Sequence, residues 1–244
     1  MEFTYEAYKN MILNLKNNKY KIVGYNNDFE GKTVILRHDV DFSLEKALDI
    51  AKLENQLEVF STFFILLSTD FYNINSIKSL EILKNIIRLG GKIGLHFDEK
   101  KYLIDEKNDY IKYISYELEI ISTILEFPID IVSMHRPSQN FLEMNLEIPN
   151  VTNSYQKKFF TEFKYVSDSR MHWRENIEEI ISSKKYQNLH ILTHPFWYNF
   201  NKEEREYKIK KFLQKSVFER YNALNENIKD FEQIFSKEVL NDYE

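Results

Sequence analysis

Cysteine is absent from the 244 residues. That excludes disulfides, thiol nucleophiles and any zinc site with sulfur ligands, so a metal here would have to be held by histidine and carboxylate. Glycine and proline are scarce, at 5 and 4 residues, which leaves little material for linkers and little support for a two-domain reading. No repeat of fixed period and no low-complexity tract is present. No apolar run approaches the roughly 18 residues of a spanning helix. Basic residues are not in excess: the net charge of −5 argues against a nucleic-acid partner. The opening residues, Met1-Glu2-Phe3-Thr4-Tyr5-Glu6, lack the basic stretch and apolar run of a signal peptide, so the expected location is cytoplasmic.

What is present alternates apolar runs with amphipathic stretches. Thr33–Asp41, Val59–Leu67, Lys92–His96, Ile129–His135, Tyr165–Asp168 and Leu189–His194 read as strands, with Val151–Tyr155 as one more short strand. Leu44–Gln56, Ser76–Leu89, Tyr110–Glu126 and Glu175–Lys184 read as helices, the second stopped by Gly90-Gly91. The pattern predicts an α/β fold, a closed or nearly closed barrel of about seven parallel strands with outer helices. One domain over 1–244 is expected, with its core at about 30–200 and a C-terminal helical extension over 201–244. There Glu203–Val239 reads as a solvated outer helix or two, with a dimer helix or a lid as alternatives. Aromatic residues make up 15%, which fits either a thick aromatic core or a carbohydrate-facing surface.

The polar residues fall at the ends of these runs: Asp39 and Asp41, His96, His135-Arg136, Asp168 and His194. In a parallel barrel the C-terminal strand ends converge on one mouth. Alternation puts Arg37, Asp39 and Asp41 on one face of the first strand and His38 and Val40 on the other. Two carboxylates on one face repel unless a cation or a shared proton relieves them. A metal is the natural relief, with the missing ligands supplied by histidines of other strands. The plainer alternative for Asp41 is that it helps Ser43 cap the following helix. His38, facing the helix layer, reads as a buried hydrogen-bonded side chain. His172 and His190 read as surface or core residues. Arg136 can grip a carboxylate with two parallel hydrogen bonds. Phe196-Trp197-Tyr198 fits a sugar face or simple packing at the rim.

Leu36–Asp41, Gly94–His96, Arg136-Pro137, Asp168-Ser169 with Trp173, and Leu192–Pro195 follow one another like five motifs of a known family. Together, from about Val34 to Tyr198, they resemble the polysaccharide deacetylase superfamily (carbohydrate esterase family 4), in the form of a divergent cytoplasmic member. The resemblance implies a distorted (β/α) barrel. It implies Asp39 as general base, Asp41 and His96 as metal ligands, Arg136 as the residue orienting the base, and Asp168 tuning His194 as general acid. Trp173 and Trp197 would bind substrate. The family's second motif carries another histidine four residues after the first, where this chain has Lys100. His135, at a neighbouring strand end, is the candidate third ligand, with Asp98 or water as alternatives.

The function so implied is metal-dependent hydrolysis of an N-acetyl group on an amino sugar or a sugar-containing precursor of surface polysaccharide. The cofactor would be a divalent ion, zinc first, then cobalt, manganese or nickel. A nucleotide sugar or lipid-linked saccharide is the expected partner. Hydrolysis of another carbon–nitrogen amide, or a degenerate barrel that only binds saccharide, are the competing expectations.

Overall fold

A computed structural model describes residues 1–27, 29–238 and 240. The chain separates into two compact units, Met1–Phe200 and Asn201–Glu244. The first is a curled parallel sheet with surrounding helices, a distorted and open β/α barrel. Its strands are β1 (Lys21–Val23), β2 (Thr33–Val40), β3 (Thr62–Ile65), β4 (Lys92–Phe97), β5 (Ile131–Met134), β6 (Thr152–Asn153), β7 (Lys164–Ser167) and β8 (Asn188–Thr193). Seven of them run in the order β6-β5-β4-β3-β2-β8-β7, with β1 paired to the start of β2.

β2 lies inside this sheet, between β3 and β8, and all eight of its residues are buried. Alternation sorts them chemically. Val34, Leu36 and Val40 join the main core, which the outer helices cover. Ile35 faces inward and belongs to a separate apolar cluster with Tyr25, Phe64, Ile131, Phe159 and Phe163. That cluster floors the barrel, and Arg37, Asp39 and Asp41 follow Ile35 toward the mouth on the same face. Gly94 belongs to this inner layer: a Cβ there would stand 2.6 Å from the Phe64 ring. Only a residue without a side chain admits that approach.

The helices follow from their caps and stripes. α2 (Leu44–Gln56) starts at Ser43, whose hydroxyl accepts from the Lys46 amide, and buries Leu44, Ala47, Ile50, Ala51 and Glu54. α3 (Ile77–Arg88) starts at Ser76 and stops where Gly90 turns to φ +96°, as a left-handed cap requires. α4 (Lys107–Leu125), α5 (Gln139–Met144), α6 (Lys158–Thr161) and α7 (Ile177–Ser182) complete the connections. Four elements go beyond the sequence reading: β1, the short helices α5 and α6, and the amphipathic α1 (Tyr5–Asn17), which buries Tyr8, Met11, Ile12 and Leu15 and is capped by Thr4.

In the second unit, α8 (Arg205–Asn227) and α9 (Phe231–Ile234) are separated by a break in which Asp230 takes a left-handed backbone. The Tyr221 hydroxyl donates to the Phe235 carbonyl at 3.0 Å across that break. The far end of the expected helical stretch, Val239, lies outside the described residues. No helix among the described residues is long and apolar enough to cross a membrane.

Candidate active site

Asp41 stands just beyond β2, His96 on β4 and His135 just beyond β5. His96 is paired in register with Ser133, so His135 lies one same-face step closer to the mouth. The Asp41 Oδ1 atom is 3.4 Å from His96 Nε2 and 3.5 Å from His135 Nδ1, and the two nitrogens are 3.3 Å apart. A tetrahedral zinc with ligand bonds of roughly 2.0–2.2 Å separates its ligand atoms by roughly 3.3–3.6 Å. The triangle therefore has the size of one face of such a tetrahedron. Asp41 Oδ1 is also buried without a hydrogen-bond partner, which a cation would remedy. Nitrogen and carboxylate donors without sulfur suit zinc and its neighbours in the first transition row. Lys100, at the position where the family motif has histidine, is exposed, and its amide donates to Asp98 at 3.2 Å.

Asp39 lies one same-face step deeper. Its carboxylate accepts from Arg37 Nε at 2.9 Å and from Nη2 at 2.8 Å. Arg37 is wholly buried, stacked between the rings of Phe64 and Tyr155 at 5.2 and 5.0 Å. Burial alone would raise the Asp39 carboxyl. Arg37 outweighs it, helped by His96 and His194, and holds the group well below the usual carboxylate range. Asp41 is likewise lowered against burial, by the nearby His96 and then by His194.

On the other side, His194 Nδ1 meets Asp168 Oδ1 at 2.6 Å. Asp168 is fully buried and also accepts from the His194 amide at 3.0 Å and the Tyr198 hydroxyl at 3.0 Å. Burial pulls the imidazolium down, but the charge and hydrogen bond of Asp168 dominate and the His194 pKa rises to about 9. His194 Nε2 faces the cavity, 4.0 Å from Asp41 Oδ2.

The expected role of Arg136 is corrected by this arrangement. The guanidinium on Asp39 is that of Arg37, while Arg136 donates to Asp98 at 2.9 Å with most of its side chain exposed. Arg37 reaches Asp39 from two residues away on the same strand face, while Asp98, on the segment beside Arg136, takes the Arg136 guanidinium. Trp173 is also placed differently from the expectation. It is half-buried against the main core, whereas Arg174 lines the cavity. The preceding Arg170 and Met171 take left-handed backbone at φ 61° and 57°. Trp197 does line the cavity.

The remaining histidines are structural in place. His172 is exposed. His190, inside the barrel, meets the Tyr25 hydroxyl at 2.7 Å, and burial with the nearby Arg37 charge lowers its pKa to about 3. His38 bridges Thr193 Oγ1 at 2.6 Å and Glu54 Oε1 at 3.0 Å behind the sheet. Glu54 in turn accepts from Tyr8 and Ser61, each at 2.6 Å. Sequence reading missed Glu54, although it continues the Ala47, Ile50, Ala51 stripe, where an acid needs a buried partner.

These groups open into a cavity of about 890 Å³ at the C-terminal strand ends. Asp39, the Asp41–His96–His135 triangle and His194 converge on it from β2, β4, β5 and β8. The arrangement pairs an ionised carboxylate with an imidazolium across a candidate metal position.

No family model matches the chain, and no curated protein matches it. Among solved structures it is similar to the peptidoglycan deacetylase PdaC from Bacillus subtilis, with 15% identity over 86% of this chain and 100% of that one, at TM-score 0.44. A family 4 carbohydrate esterase from Bacillus anthracis shares 15% identity over 84% of this chain and 83% of that one, at TM-score 0.44. A CE4 family pseudoenzyme from Bacillus anthracis shares 13% identity over 80% of this chain, at TM-score 0.44, and this chain spans 65% of its length.

Proposed function

We propose that this protein is a divergent, cytoplasmic member of the polysaccharide deacetylase superfamily, a metal-dependent hydrolase that removes the N-acetyl group from an amino sugar. The observation that carries the reading is the Asp41–His96–His135 triangle, with separations of 3.3–3.5 Å, flanked by Asp39 and His194. Asp41, His96 and His135 would hold the ion. The chemistry that a divalent cation held there would supply is Lewis acidity toward the acetyl carbonyl and a bound water.

The protein groups divide the proton work. Asp39, ionised and oriented by Arg37, takes the proton of the attacking water as its oxygen bonds to the acetyl carbon. His194 carries its proton on Nε2 because Nδ1 is committed to Asp168. It gives that proton to the sugar nitrogen as the carbon–nitrogen bond breaks, releasing acetate and the free amine. Asp168, Tyr198 and the His194 amide hold the ring in place, and Trp197 supplies an aromatic surface for the sugar. The test is acetate release from N-acetylated amino sugars by protein loaded with zinc, cobalt, manganese or nickel. Activity is expected with the metal and lost in Asp39→Asn; equal release by that variant removes Asp39 as the base.

A further inference from the structure

The rim of the cavity is divided by chemistry along the sheet order. The segments after β2, β3 and β8 contribute Phe42, Phe71 and Trp197 to the cavity wall. Phe42 packs 5.0 Å from Phe71 and 6.4 Å from Trp197 between ring centroids. The segments after β4, β5 and β7 contribute Lys101, Arg136, Arg170 and Arg174. β4 and β5 are neighbours, and β7 is reached across the short β6 at the other edge of the sheet. Phe160 bridges those edges, 5.5 Å from Tyr155 and 5.1 Å from Tyr165. One arc of the rim is therefore aromatic and the other cationic. Asp70 lines the wall beside Phe71, on the aromatic arc.

The deeper acids do not call for Lys101 and Arg174. Asp39 is matched by Arg37, Asp168 by His194 and Asp98 by Arg136. Lys101 and Arg174 are exposed and form no ion pair among the described residues. Gathering like charges on one arc of a chain whose net charge is −5 runs against their mutual repulsion. Arg136 and Arg170 moreover both hold left-handed backbone, at φ 55° and 61°, a conformation non-glycine residues seldom adopt and one that clusters at ligand clamps.

We propose that the cationic arc is an anion subsite, taking a phosphate or carboxylate carried by the same saccharide whose N-acetyl group reaches Asp39. The proposal rests on the deacetylase reading. A sugar ring laid on the aromatic arc directs a charged substituent across the cavity to the arginines, whose planar forks fit either anion. The exposed cations attract over roughly the 8–10 Å of the screening length in ordinary salt, so they select charged over neutral substrates.

The test uses the full zinc-loaded chain and titration calorimetry with three probes: N-acetylglucosamine, its 1-phosphate, and N-acetylmuramic acid, which carries a carboxylate. At low salt a charged probe is expected to bind about tenfold more tightly than the neutral sugar, with the gap narrowing as salt rises. The probe with the larger gap identifies the anion. The Lys101→Gln/Arg174→Gln double variant should close the gap, and Arg174→Lys should keep part of it. Equal binding of neutral and charged probes overturns the subsite, as does absence of binding by both anions. So does a gap that survives in the double variant, the result expected if phosphate simply bound the metal. Acetate release in the same samples separates the two claims. Release without a charge gap overturns the subsite alone; a charge gap without release from any probe overturns the deacetylase reading and leaves the subsite.

Discussion

Arg37 and Asp39, two residues apart on one face of β2, form a two-point ion pair in the cavity floor, with Nε to Oδ1 at 2.9 Å and Nη2 to Oδ2 at 2.8 Å. The strand that supplies the proposed base thus also supplies its counter-charge. Arg37→Met should leave Asp39 buried and unmatched. Removing one partner of a buried pair costs about 3–5 kcal/mol, readable as a fall in the denaturation midpoint. Acetate release should fall too, with its acidic limb moved to higher pH because Asp39 loses the charge that keeps it ionised. A variant as stable as the parent would show that Arg37 does not serve this role.

His135, rather than position 100, completes the candidate metal triangle. Zinc affinity measured by competition with a chromogenic chelator should drop by about 100-fold or more in His135→Ala. Placing a histidine at position 100 through Lys100→His should leave it within about threefold, because Lys100 is exposed and only its amide touches Asp98. A large gain from Lys100→His would relocate the third ligand.

The His194–Asp168 pair makes the metal-free protein sensitive to alkali. The folded pKa of His194, about 9, lies above its ordinary 6.5. Its stabilisation is therefore complete below about pH 6.5 and lost as pH rises to about 9, amounting to roughly 3 kcal/mol. Urea denaturation of metal-free protein should show this loss, and Asp168→Asn should be less stable at pH 6 and flat across the window. A parental curve flat from pH 6.5 to 9 rules the coupling out.

Glu117, on α4, has the opposite placement of charge. It is buried, accepts from the Tyr102 hydroxyl at 2.6 Å through Oε1, and has no partner for Oε2. Burial pushes its pKa up to about 7. The folded state holds the proton that the unfolded state releases, so stability falls between about pH 4.5 and 7 and stays lower above it, by roughly 3 kcal/mol. Glu117→Gln should remove that slope and be the more stable protein at pH 8. A slope unchanged in the variant assigns it to another group.

Much of the fold was readable because buried parallel strands and amphipathic helices leave strong periodicities. The helix expected at Leu44–Gln56 has those bounds in the structure, and the six longer apolar runs each overlap a strand. The strand from Val59–Leu67 shrinks to Thr62–Ile65, since pairing with β4 begins at Thr62↔Lys92 and apolar content alone does not mark where pairing starts. β1 escaped because three residues carry no period. α1 escaped despite a legible stripe, Tyr8, Met11, Ile12 and Leu15, behind Thr4.

For the site, the residues themselves determined which groups stand at strand ends and which share a face. Period-two alternation is a local property of the chain, and it placed Arg37, Asp39 and Asp41 together before any contact was known. It could not determine distances between strands. Register and curl put Asp41, His96 and His135 within 3.3–3.5 Å, turned Arg136 to Asp98 instead of Asp39, and set Trp173 against the core while Arg174 faces the cavity. They also separated the rim into an aromatic and a cationic arc. Those outcomes depend on how segments far apart in the chain stagger against one another, and that is settled only when the sheet packs as a whole.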